Sequence, residues 1–313
     1  MELESVEFFS PEDFGNPYFK RGFRTFAKAL AMRRAVSAGL RAGSDRVLVA
    51  TNGEATLISP RHAAKVVIYG DASGRQLNAL YGFGRSKQKL RARDRALQKL
   101  AVNGARFAAM SRWCAEGFSR DYKIAISSVA VVPPPLDVSL FVRRGEASST
   151  LLRALFVGGD FRRKGGEVLN QVANNVFDWE FHAVTTPGGS FSPRLHLYHG
   201  LESECPELLR QFRAADAFVF PTTADCSPLA ILEAMASGLP VITTAVGGIT
   251  DMVEHETTGF IVPVGDSDAV IQCLHKLLDA RVREKMGSVG RQRVEAMSSL
   301  AVHARQWRAF LED

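Results

Sequence analysis

The feature that most constrains this chain is the alternation of short apolar runs with longer amphipathic ones, in two blocks separated by Pro133-Pro134-Pro135. In the first block, Arg46–Thr51, Ala64–Tyr69, Arg106–Met110 and Ser128–Val132 read as short buried strands. Helical patterns fall at Phe19–Ala42, Lys87–Asn103 and Arg112–Ser119. Three consecutive prolines fit neither a helix nor a central strand, so they end the block, and Val138–Thr150 reads as a linker. The second block predicts strands at Leu152–Val157, Glu180–Val184, Arg194–Tyr198, Ala217–Phe220, Pro240–Thr243 and Phe260–Val262. Helices are expected at Gly165–Asn175, Cys205–Ala215, Pro228–Ser237, Ser267–Ala280, Val282–Met297 and Leu300–Leu311. Strands buried on both faces and alternating with helices predict parallel sheets covered on both sides. The expected architecture is therefore α/β, with two doubly wound, Rossmann-type domains facing a cleft. Ligands of such sheets lie at the carboxyl ends of the strands.

Composition excludes several alternatives. At 313 residues the chain is long enough for two domains. No run approaches the ~18–20 apolar residues of a membrane span. The first residues, MELESVEFFSPEDF, are acidic and carry no apolar core of a secretory signal. Cys114, Cys205, Cys226 and Cys273 are scattered, against a zinc ribbon or disulfide framework and in keeping with a reducing cytoplasm. No phosphate-loop, HExxH or GxSxG pattern occurs.

Charge divides the chain unevenly. Residues 1–150 hold 24 Lys and Arg against 13 Asp and Glu, a net of +11, and the remainder carries −5. The excess is concentrated at Lys20–Arg34 and at Arg85–Lys99. Both read as solvated helix faces, or as attraction to an acidic phospholipid surface or a polyphosphate-bearing molecule. Nucleic acid ranks lowest, because Arg85–Lys99 has no interleaved aromatics and no base-reading motif is present.

Three segments carry candidate chemistry. In the first, strand Leu152–Val157 ends in Gly158-Gly159, followed by Arg162-Arg163-Lys164 just before a helix start. Glycines permit close backbone approach, and a helix N-terminus with adjacent cations suits a diphosphate. A tight turn with solvated bases is the alternative. In the second, Asp225 precedes a helix whose first turn holds Ser227, Pro228 and Leu229, with Glu233 further in among Ala230, Ile231, Leu232, Ala234 and Met235. A carboxylate in such surroundings is costly without a partner, either a ligand hydroxyl such as a ribose diol or an internal arginine. A plain helix cap with a salt-bridged Glu233 remains open. In the third, a strand end is again followed by Gly247-Gly248 and Asp251, as a ligand site or an empty glycine-rich loop.

In this order the motifs resemble those of the nucleotide-sugar-dependent retaining glycosyltransferases of family 4 (glycosyl transferases group 1), which have the GT-B fold. The resemblance covers about residues 150–280. It is weaker in the first half, where Ala108–Trp113 is similar to the family's strand-Ser segment and Val129–Phe141 to its interdomain linker. It implies domains at 1–145 (the acceptor side, shortened) and 146–298 (the nucleotide-sugar side), with a helix at 299–313 crossing back. Lys164 would hold the donor diphosphate with Arg163 beside it. Glu233 would bond the ribose, Asp225 the sugar hydroxyls, and the backbone at Ser227–Leu229 phosphate or sugar. Gly158, Gly159, Gly247 and Gly248 would line the donor site, with Arg162 or Arg163 supplying the charge that the family often places at Gly159.

The sequence departs from the family at Asp225, one methylene shorter than the usual Glu. The usual His of the first domain has no counterpart, and Asp71 is the polar cleft candidate in its place. The implied activity is transfer of a sugar from a nucleoside diphosphate sugar, UDP or GDP, to a hydroxyl with retention of anomeric configuration, in polysaccharide or glycolipid synthesis. The leaving phosphate would take the acceptor's proton, and neither metal nor cofactor is expected. An inactive or accessory nucleotide-binding relative is the alternative. A nicotinamide-dependent oxidoreductase is disfavoured because no GxGxxG follows a strand. The expected location is cytoplasmic, peripheral at the inner face of the membrane through the basic half, with an anionic or membrane-associated acceptor and no nucleic-acid partner. His196 and His199 are expected to be structural.

Overall fold

The computed structural model describes residues 48–50, 55–56, 58–142, 151–186 and 191–312. The helix expected at Phe19–Ala42 and the basic Lys20–Arg34 segment lie outside the described residues. Among these, two parallel sheets account for all ten strands.

The first sheet has the order β1-β2-β3-β4, formed by Leu48–Ala50, Val66–Gly70, Arg106–Ala109 and Val129–Val131. Helix α1 (Gly74–Tyr81) follows β2, α2 (Lys87–Val102) leads into β3, and α3 (Arg112–Tyr122) joins β3 to β4. Their apolar sides close a core around Leu97, Phe107, Phe118 and Tyr122. Helix α1 is absent from the strand–helix reading above. Its sequence, Gly-Arg-Gln-Leu-Asn-Ala-Leu-Tyr, is too polar to show a continuous apolar stripe. Its start is nevertheless specified by a capping box, in which the Ser73 side chain accepts from the Gln76 amide and the Gln76 side chain accepts from the Ser73 amide.

The second sheet is formed by β5 (Leu152–Val157), β6 (Trp179–Val184), β7 (Leu195–Tyr198), β8 (Ala217–Phe220), β9 (Val241–Thr244) and β10 (Gly259–Val262). Its order is β10-β9-β8-β5-β6-β7. From β5 the chain builds outward through β6 and β7, then returns to lay β8, β9 and β10 on the other side. The direction reverses between β5 and β8, which is where a doubly wound sheet opens its crevice. Helices α4 (Gly166–Asn175), α5 (Pro206–Ala214), α6 (Leu229–Ala236), α7 (Ile249–Met252), α8 (Ser267–Lys276) and α9 (Ala280–Ser298) complete this half.

The two halves are tied at several points. Leu136, just before the expected linker, and Phe141, near its start, pack into the second core, Phe141 edge-on to Phe212 with ring centroids 5.7 Å apart. The Leu136 amide donates to Ser298 O at 2.8 Å, so the first crossing is pinned to the end of α9. There α10 (Leu300–Glu312) begins, and it returns to the first sheet. Trp307, Phe310 and Leu311 cover Val67, Ala108 and Val132. Arg106 donates to Phe310 O at 2.7 Å and lies over the Phe310 ring. No described helix is long and apolar enough to cross a membrane.

Candidate active site

The loops after β5, β8 and β9 meet at the carboxyl edge of the second sheet, flanking the reversal of strand order. Their convergence is enforced by glycine. Gly165 has φ +92°, and a Cβ there would lie 2.1 Å from Pro221 O. Gly247 has φ +58°, and a Cβ there would lie 2.0 Å from Asp225 O. Only a residue without a Cβ fits either place. The backbones are then stitched together. The Thr223 amide donates to Arg163 O at 2.9 Å, the Arg163 guanidinium to Ala224 O at 2.7 Å, and the Gly248 amide to Cys226 O at 2.8 Å.

This stitching brings Lys164 and Asp225 into a direct ion pair, with both side chains largely buried. The Lys164 ammonium also lies 5.2 Å from the centre of the Phe220 ring. Its stem fills the space left by Gly158, where a Cβ would come within 2.9 Å of Lys164 Cγ. Arg163 pairs with Asp160 at 3.1 Å and lies over the Tyr81 ring of the first half. Arg162 is not part of this cluster: its side chain is 85% exposed and pairs with Glu167 on the outer surface. The two neighbours diverge because the turn from Asp160 to Gly165 directs Arg163 toward the β8 loop and Arg162 toward α4.

Helix α6 starts beside this pair, with Pro228 as its cap residue. The Ile231 amide bonds Pro228 O at 3.2 Å, and the Leu229 and Ala230 amides have no backbone partner among the described residues. The Ser227 hydroxyl is buried with no hydrogen-bond partner among the described residues. Leu229 is half exposed. Glu233 is only 7% exposed, and its carboxylate has neither ion pair nor hydrogen-bond partner among the described residues. Burial, with a smaller push from the Glu204 charge, raises its pKa to about 7. Of the two partners considered for Glu233, an internal arginine is thus not what stands there.

The first half contributes the opposite wall. Asp71 follows β2, and burial together with the Asp225 charge raises its pKa. Cys226, pushed up to about 12 by burial and the Asp71 charge, stays a neutral thiol. The Tyr81 hydroxyl, also raised by burial, interacts with Cys226. Tyr81 belongs to the helix missed from sequence. Its cue was positional, the last residue of a Ser-x-x-Gln-capped helix. Gly248 approaches Ser111 so closely that a Cβ would meet the Ser111 side chain at 2.7 Å. Asp251 reaches across and accepts from the Trp113 amide at 3.1 Å. His196 stacks on His182 at 4.7 Å, and His199 bonds Thr185 O at 2.7 Å. Among the described residues no cluster of His, Cys, Asp and Glu could hold a metal ion.

The site thus combines two anchored cations, free helix amides, an unpaired hydroxyl and an unpaired buried carboxylate. That set suits a ligand with a diphosphate at one end and hydroxyls at the other. The family model described as glycosyl transferases group 1 matches residues 153–280. Over this segment the chain is similar to the glycosyl transferases group 1. Over 234 residues the chain is 26% identical to the D-inositol 3-phosphate glycosyltransferase of Paenarthrobacter aurescens, covering 66% of this chain and 57% of that protein. Over 81 residues it is 44% identical to the capsular polysaccharide biosynthesis glycosyltransferase CapM of Staphylococcus aureus, covering 26% of this chain and 21% of that protein. The matches therefore span just over half of the first relative's length and about a fifth of the second's. Among solved structures, sucrose-phosphate synthase from Thermosynechococcus elongatus superposes with a TM-score of 0.74 at 20% identity, over 94% of this chain and 80% of that one. Anabaena HepE in complex with UDP superposes with a TM-score of 0.73 at 16% identity, over 90% and 81%. At these identities the likeness shows the fold, that of the GT-B glycosyltransferases with two Rossmann-like halves.

Proposed function

We propose that this chain transfers a sugar from a nucleoside diphosphate sugar to a hydroxyl acceptor, with retention of anomeric configuration. The observation that carries this reading is the Lys164–Asp225 pair at the strand-order reversal, beside the free amides of α6 and the unpaired Ser227 hydroxyl. The UDP held by a protein of the same fold favours UDP as the nucleotide.

The chemistry follows from the charges. Breaking the anomeric C–O bond moves electrons onto the departing diphosphate. Lys164 and Arg163 are already desolvated and fixed, so their attraction to that developing charge needs little reorganisation. The Ser227 hydroxyl and the α6 amides would bond the same phosphates. Asp225, aligned by Lys164, would accept from the sugar hydroxyls, and Glu233 from the ribose. The leaving phosphate would take the acceptor's proton on the face where the sugar departs, which keeps the configuration. No protein base is then required, and Asp71 would line the face opposite the donor.

The test is thermal melting against UDP, GDP and ADP, with Lys164→Ala alongside. A nucleotide at about 100 times its dissociation constant adds ~2.7 kcal/mol to stability. One nucleoside diphosphate is expected to raise the melting temperature in the parent chain only. Turnover of the matching sugar nucleotide, with the product's anomeric configuration read by NMR, completes it. No response to any nucleotide, or an inverted product, contradicts the reading.

A further inference from the structure

The Arg163 guanidinium is held on three sides, and one of them belongs to the other half of the chain. Its Nε donates to Asp160 at 3.1 Å and its Nη1 to Ala224 O at 2.7 Å. Both bonds run along the edges of the planar group. The Tyr81 ring covers a face, with its centre 5.3 Å from the central carbon of the guanidinium. Nη2 has no hydrogen-bond partner among the described residues, so its two protons are the donors left for a ligand. Arg162, the next residue back, has no such clamp and turns out to Glu167.

The ring is itself fixed. Tyr81 is the last residue of α1, and its hydroxyl interacts with the thiol of Cys226, the neighbour of Asp225. After α1 the chain turns back, the Arg85 amide donating to Asn78 Oδ1 at 2.8 Å. That turn lays Phe83 on Tyr81, with ring centroids 5.4 Å apart, and Arg85 over Phe83 at 5.1 Å. Four side chains from two halves thus form one stack, from Arg163 through Tyr81 and Phe83 to Arg85. An aromatic face attracts a cation, and a flat guanidinium stacks on it as an ammonium cannot. The ring also keeps water from that face, which strengthens the attraction of the remaining donors for an anion.

The transferase reading above sets the departing diphosphate beside Arg163. Resting on that reading, we propose that Tyr81 is a positioning residue, which holds the Arg163 guanidinium so that its Nη2 protons meet the diphosphate. Because the tyrosine and the arginine are carried by different halves, the arginine is clamped only when the halves are together. The leaving group then meets a cation already aimed, with no reorganisation as its charge develops.

The whole chain is titrated calorimetrically with UDP, GDP and inorganic pyrophosphate at constant ionic strength. UDP or GDP is the leaving group itself, so its affinity reads the contact directly. The parent is compared with Tyr81→Phe, Tyr81→Leu, Arg163→Ala and the Tyr81→Leu/Arg163→Ala double variant, and melting curves confirm that each is folded. Tyr81→Leu is expected to weaken anion binding about fivefold to tenfold, whereas Tyr81→Phe, which keeps the ring, stays within about twofold of the parent. In the Arg163→Ala background Tyr81→Leu should have no further effect, because the two residues act through one contact. Tyr81→Leu with a lower melting temperature and the parent's affinity overturns the proposal and leaves Tyr81 a packing residue. An equal loss in the Arg163→Ala background overturns it as well, and so does a Tyr81→Phe as weak as Tyr81→Leu. If pyrophosphate binding shows the coupling while neither nucleotide binds, the transferase reading falls and the clamp on Arg163 stands. If a nucleotide binds without regard to Tyr81, the clamp falls and the transferase reading stands. No binding of any of the three overturns both.

Discussion

Lys164 and Asp225 lie 61 residues apart in the chain and form a direct ion pair at the centre of the site. Glu233, just over one turn into α6, has no such partner among the described residues. The lone carboxylate of Glu233 predicts a pH dependence. Glu233 titrates near its ordinary value in the unfolded chain and at about 7 in the folded one. Between those values the native state holds more protons than the unfolded state, so stability falls as pH rises toward about 7 and levels off above it. A ribose diol donating to Glu233 favours the ionised form, so UDP affinity should increase from about pH 6 to pH 8. In Glu233→Gln both dependences should flatten, as melting curves and calorimetric titrations at several pH values will show. A variant that keeps the parent's pH profile would place the titrating group elsewhere. Both acids were legible in sequence as unusual carboxylates, but their partners were not. Whether Glu233 meets an arginine depends on which loop packs over α6, and no local pattern encodes that. Arg162 and Arg163 are likewise equivalent as letters. The geometry of one turn sends the first to Glu167 and the second to the β8 loop.

At the level of elements, the site depends on how closely the β5, β8 and β9 loops can approach. Gly165→Ala places a Cβ against Pro221 O on a left-handed backbone. The expected cost is about 2–5 kcal/mol, from the left-handed conformation and the forced displacement together. Because the displacement moves Lys164, UDP affinity should fall along with the melting temperature. Gly159→Ala is the control. A Cβ there meets only the Thr186 methyl carbon at 3.8 Å, so the melting temperature should stay close to the parent's. Most strands and helices were readable from apolar period and turn residues, and their observed limits shift by only a few residues. Helix α1 escaped because polar residues dominate it, although Ser73 and Gln76 carried a capping signature. Its loss from the reading also hid Tyr81, whose ring receives Arg163 across the cleft.

The whole molecule is held in register by contacts that connect distant parts of the chain. Asp251 caps the α3 start from the other half, and Trp307 on α10 packs edge-on to Tyr69 at 5.1 Å. Asp251→Ala should cost about 1 kcal/mol, and the loss should appear as weaker coupling between the halves. Trp307→Ala should cost about 1–3 kcal/mol, less than a fully buried tryptophan. Hydrogen exchange should then accelerate in β2, β3 and β4 and not in β5 through β8. Uniform acceleration across both sheets would mean that α10 supports the molecule as a single cooperative unit.

The division of labour between sequence and tertiary structure is visible in these particulars. Two blocks of buried strands and covering helices are local patterns of side-chain period, so the class of fold could be read from the letters. The glycine pairs and Lys164, Asp225 and Glu233 were likewise marked by their types and their positions at strand and helix ends. What only the folded chain decided were relations across distance: the pairing of Lys164 with Asp225, the burial of Glu233 with no partner among the described residues, and the return of α10 to the first sheet. The clamp on Arg163 belongs to the same class. Its charge was evident as an arginine beside Lys164, but a ring laid over that charge requires the two halves to be set face to face. Charge is a property of residues, whereas enclosure is a property of packing.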